Sequence, residues 1–257
     1  MRHALHAEWT KQRTLASTSW LLLAAAALTV TLSAAAAAAT RCPSRACADD
    51  PAKISLTGIY LGQAVVAILA VLAVSSEYGT GMIRVTLAAT PRRVTVLAAK
   101  AAIVAGLTLA AATIAVPASL LAGRLILPGH GIGPSHGYPA LSFSDGSVLR
   151  AGLGSVLYLV LIALLSLGAA AVLREAAAAI GAVLGLLYLF PIIAAAGNAT
   201  ASRHLQQIGP MTAGLAIQAT TGLNSLPISP WAGLGVLAAW AAGALLLGGL
   251  LLRLRDA

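Results

Sequence analysis

Charged residues are scarce in this sequence. Asp, Glu, Lys and Arg together supply 9% of 257 residues, against about 25% in an average globular domain, which argues against a water-soluble fold. Aromatic residues are scarce too, at 4%; helices without bulky rings pack closely, while the accompanying abundance of Ala carries no functional message of its own. The two cysteines, Cys42 and Cys47, have no third ligand nearby and are too few for a metal site. The phosphate-binding pattern G-x-x-x-x-G-K-[ST] and the zinc-protease pattern H-E-x-x-H are both missing, so neither nucleotide hydrolysis nor metal-dependent proteolysis is expected of this chain. The formal charge of +9 does not point to nucleic acid, because Lys and Arg fall between apolar runs instead of gathering on one arm or stripe.

What the sequence does contain is uncharged length. The runs 14–40, 54–76, 101–123, 151–173, 176–202 and 204–252 carry no Asp, Glu, Lys or Arg. A spanning helix needs about 20 apolar residues, and a charge at the bilayer centre costs roughly 3 kcal/mol. Each run therefore predicts one crossing. The expected class is an all-α, polytopic membrane protein, a single domain over residues 1–257 with spans near 17–39, 55–75, 97–123, 149–173, 176–197 and 231–252. The outer segment 198–230 holds Gln206, Gln207, Asn224, Pro210, Pro227 and Pro230 and reads as a loop, with a short interfacial helix over 211–226 as the alternative. The stretch 125–144 is also uncharged, but Pro128, Pro134 and Pro139 among four glycines make it a loop as well.

Six crossings place both termini on one side, and basic residues decide which. One side collects Arg2, Lys11, Arg13, Arg84, Arg92, Arg93, Lys100, Arg174, Arg253 and Arg255; the other collects Arg41, Arg45, Lys53, Arg124, Arg150 and Arg203. By the positive-inside rule both termini are cytoplasmic. A cleaved signal peptide over the first run would leave five crossings and put the basic second loop outside, against that rule. Cys42 and Cys47 then share an outer loop, where they are either a disulfide or two free thiols. The segment before the first span, with Leu5, Trp9, Gln12 and Arg13, suits a short interfacial helix anchored by Trp9.

The cytoplasmic connection 76–96 is the most informative stretch. Within it, Ile83, Leu87 and Thr90 line one face of a helix that Pro91 ends, and Arg84 and Arg92 are available to a partner. The order Glu77, Gly79, Thr80, Arg84, Leu87, Pro91, Arg92, Arg93, with Lys100 opening the next span, resembles the cytoplasmic loop of permease subunits of type-two ABC exporters, a bacterial family. Gly81 is an insertion relative to that pattern. The six-helix plan and the long segment before the last span extend the resemblance along the chain.

The resemblance implies a coupling helix that docks on a separate ATP-binding subunit, with ATP and Mg held there and no cofactor or catalytic residue in this chain. It also implies a homodimer, or a heterodimer with a related permease, surrounded by lipid in the bacterial plasma membrane. A self-contained secondary transporter and a non-transporting membrane scaffold are the alternatives. The uncharged lining hints at a lipophilic or amphiphilic substrate.

Overall fold

The computed structural model describes residues 2–14, 16–41, 50–79, 82, 93–133 and 141–254. Among them every regular element is helical, as Ala- and Leu-rich runs favour and as a bilayer demands of backbone that has no water to bond. In chain order these are α1 (Arg2–Thr14), α2 (Ala16–Ala39), α3 (Pro51–Ser55), α4 (Ile59–Gly79) and α5 (Arg93–Ile126), the last continued by a 3-10 turn, Leu127–His130. There follow α6 (Gly146–Leu173), α7 (Ala176–Ala196), α8 (Ala199–Ile208), α9 (Pro210–Gly214) and α10 (Pro230–Leu254). Six of them, α2, α4, α5, α6, α7 and α10, are long and apolar enough to cross a membrane.

Two crossings depart from the bounds the charges suggest. α4 begins and ends later than 55–75, so Glu77 belongs to its last turn. α5 starts at Arg93, takes in Lys100, and runs for 34 residues through Pro117 without interruption. At 1.5 Å per residue it is about 51 Å long, well beyond the roughly 30 Å of a hydrocarbon core. The surplus leaves room for charge near its ends.

α6 is the hub. It packs against α10, α4, α5 and α7. Of its most apolar stretch 61% is buried, against 17% for α7, which lies at the periphery. Close approach of α6 to α10 depends on Gly168, where a Cβ would sit 2.6 Å from the backbone carbon of Ala244. Segment 198–230 is not a plain loop. α8, α9 and a 3-10 turn, Leu215–Gln218, fold onto the bundle, with Met211, Ala213, Leu215 and Ile217 buried in or beside the core. Prolines and glycines there open helices and permit contact instead of keeping the chain in solvent: Pro210 starts α9. The plain loop gives way to short helical turns at 210–214, 215–218 and 223–225, over the stretch where a short helix is the alternative.

Two Gly-x-x-x-Gly pairs look alike in the sequence and differ in space. Cβ atoms on Gly58 and Gly62 would lie 1.9 Å from Thr29 O and 2.1 Å from Thr29 Oγ1, so this pair lets α2 cross the start of α4 closely. Around Gly181 and Gly185 no atom lies within 4 Å of such a Cβ. Gly62→Leu is therefore expected to destabilise the purified protein by about 1–3 kcal/mol through overpacking. Gly181→Leu leaves the unfolding midpoint in detergent unchanged.

Candidate functional site: a buried charge cluster at one end of the bundle

α1 packs on α5 and, more lightly, on α2. Glu8 and Gln12 are one helical turn apart, so both fall on its packed face. Glu8, Glu77 and Lys100 are 3%, 6% and 4% exposed, and they meet. Lys100 Nζ donates to Glu77 Oε1 at 2.7 Å, to Glu8 Oε2 at 2.8 Å and to the Ala73 carbonyl at 3.4 Å, engaging all three of its protons. Lys11 Nζ lies 2.9 Å from Glu77 Oε1 and 3.3 Å from Glu8 Oε1. Two ammonium groups and two carboxylates thus form a neutral set that joins α1, the end of α4 and the start of α5. Glu77 Oε2 is buried without a hydrogen-bond partner among the described residues.

Neighbouring contacts extend the cluster. The Thr18 hydroxyl donates to Gln12 Oε1 at 2.9 Å and ties α1 to α2. Arg174 caps α6 in the left-handed region, with φ 61°, and its guanidinium lies 5.5 Å from the ring centre of Tyr78. Glu175 then caps α7 by accepting from Ala177 N at 3.1 Å and Ala178 N at 2.8 Å. The ammonium of Lys11 is desolvated by burial, which alone would lower its pKa; the Glu77 hydrogen bond and the charges of Glu8 and Glu77 outweigh this and hold it above the ordinary 10.5. Its contribution to stability is fully present below the unfolded value and is lost only as pH rises through the raised folded value. Nothing in this lysine makes the cluster sensitive near neutrality.

Of the residues the sequence singled out, Glu77 is in this cluster, its carboxylate engaged within the chain and shielded from solvent. Gly79 ends α4 and is exposed. Arg93 begins α5. Thr80, Arg84, Leu87, Pro91 and Arg92 lie outside the described residues, as do Cys42 and Cys47. Glu8 and Lys11 were not singled out for this role. Their signal was present in the acidic residue one turn from Gln12, on a segment otherwise read as a surface helix.

The opposite end is held by neutral and singly charged contacts. Asp50 caps α3 through Ala52 N at 3.1 Å, and the same carboxylate accepts from Thr220 Oγ1 at 2.6 Å and Thr221 N at 3.0 Å. Arg150 Nη2 donates to Ala219 O at 2.6 Å. Deeper in, the Tyr158 hydroxyl donates to Gln63 Oε1, and Gln63 Nε2 reaches Met211 Sδ at 3.2 Å. Among the described residues no three His, Cys, Asp or Glu side chains converge on a common point.

No protein-family model matches the chain, and no curated protein matches it.

Lys100→Ala leaves two buried carboxylates to the single ammonium of Lys11 and is expected to cost about 3–5 kcal/mol, read as a lowered unfolding midpoint in detergent. Combining it with Glu77→Ala should cost less than the two single changes added together, since the pair acts as a unit. At the other end, Asp50→Ala is expected to speed amide hydrogen exchange at Thr220 and Thr221 and leave exchange in α1 unchanged.

Proposed function

We propose that this chain is the membrane-spanning subunit of an ATP-driven exporter in a bacterial plasma membrane, with both termini cytoplasmic. It forms the substrate pathway and takes its power from a separate ATP-binding subunit that docks on the connection 80–92. The observation that carries this reading is the clamp at both ends of that connection. Glu77, just before it, is bonded to Lys100, just after it, at 2.7 Å, and both are bonded to α1. A push on the connection therefore reaches α4, α5 and α1 as one rigid unit. That is what a rocking transition between packed helices needs.

The family resemblance supplies the rest of the proposal. In that reading Arg84, Leu87 and Arg92 are docking contacts, and Glu77, which the resemblance also makes a contact, is assigned to anchoring because its carboxylate is buried and bonded to Lys100. ATP and Mg belong to the partner, two copies of the chain or one copy and a relative complete the pathway, and this chain catalyses nothing by itself. Buried Glu77 and Lys100 also suit a second reading, a self-contained carrier that couples transport to an ion gradient.

The test is purification of the tagged chain from its native membrane. A complex with a phosphate-loop subunit and vanadate-sensitive ATP hydrolysis is expected, and Arg84→Glu should weaken the complex by about tenfold or more, as loss of a charged anchor does. A chain that purifies alone and moves substrate in vesicles under an imposed ion gradient would establish the carrier instead.

A further inference from the structure

We infer that the cleft between α5 and α10 seats an acyl chain of an anionic phospholipid whose phosphate is held by Arg253. The cleft has a volume of about 690 Å³, within the range of ligand-binding clefts. Its α5 wall is the stripe Val94, Leu97, Ala101 and Ala105, one side of a helix at the usual spacing. Opposite stand Leu246 and Gly249 of α10, and the missing side chain of Gly249 gives the cleft its depth.

Length and charge identify the occupant. From Val94 to Ala105 the stripe rises about 17 Å, close to the roughly 15 Å of one leaflet's hydrocarbon. Among the described residues Arg253 is the one charged side chain in the lining; it stands at the same end as Val94, where α5 begins and α10 finishes. It is exposed and has no ion pair among the described residues, so its guanidinium is available to a phosphate, which it fits in a two-pronged manner. A second copy of the chain is a poorer fit. Of the described carboxylates at this end, Glu8 and Glu77 are consumed in the cluster and Glu175 caps α7, which leaves none to meet Arg253.

The other face of α10 provides an internal comparison. There a cleft of about 750 Å³ runs between α6, α7, α8 and α10 past Gly243, and among the described residues no Asp, Glu, Lys or Arg lines it. It has apolar room without a headgroup anchor. The inference needs a bilayer around the helices but no ATP-binding subunit, so it stands or falls separately from the exporter reading.

Native mass spectrometry of the full chain in mild detergent, offered equal phosphatidylglycerol and phosphatidylcholine, tests it. The wild type is expected to retain phosphatidylglycerol about fivefold over phosphatidylcholine, the scale of one basic residue near an anionic lipid. Arg253→Gln abolishes the preference, and Arg253→Lys keeps most of it. Gly249→Leu fills the cleft and expels lipid of both kinds, while Gly243→Leu in the comparison cleft does not alter the preference. A Cβ at position 249 would meet Leu97 Cδ2 at an ordinary 3.7 Å, and one at position 243 meets nothing within 4 Å, so neither change clashes with backbone at its first atom. Helix content by circular dichroism verifies each variant. A wild type with no preference, or a preference that survives Arg253→Gln, overturns the proposal. So does a Gly249→Leu variant that keeps its lipid and loses its dimer, since the cleft is then an interface between copies.

Discussion

Lys100 sets the terms at one end of this molecule. An ammonium group buried in so apolar a chain needs compensation from close at hand, because removing an ion from water costs several kcal/mol before any partner is found. Two carboxylates and one carbonyl supply it, and they come from different parts of the chain: Glu8 is 92 residues away and Glu77 is 23. Lys11 then balances the second carboxylate. Once those four groups are together, α1 lies against α5, the last turn of α4 is held to the first turns of α5, and the connection between them is anchored at both ends. The surplus length of α5 keeps Lys100, within its first three turns, away from mid-bilayer, where a charge costs most.

The far end solves a different problem. The segment whose apolar residues Met211, Leu215 and Ile217 enter the core is also held just beyond them, where Asp50 accepts from the backbone and side chain of residues 220 and 221 while also starting α3. Ile217 fits where Gly154 leaves α6 without a side chain. Gln63 and Tyr158 satisfy each other inside the bundle, which an isolated amide in hydrocarbon could not do. One end is thus built from charges that balance as a set, and the other from caps and neutral hydrogen bonds.

Six crossings were legible because the physics that decides them is local: about 20 uncharged residues between charged ones cross a bilayer wherever the rest of the chain lies. Pairings were not legible, because a residue type says nothing about which distant group it meets. The resemblance makes Glu77 a docking contact, and its burial against Lys100 comes from packing alone. Gly58 with Gly62 and Gly181 with Gly185 share one motif, and only the placement of Thr29 against the first pair separates a tight crossing from an open face. Segment 198–230 reads as a loop or a short interfacial helix, and only packing shows that its middle, Met211 to Ile217, is buried in or beside the core. The sequence by itself determined the helical class, the number of apolar crossings and the scarcity of groups able to carry charge. Only the tertiary structure decided that Glu8, Lys11, Glu77 and Lys100 neutralise one another, since burial and a distance of 3 Å or so are properties of packing and not of order along the chain.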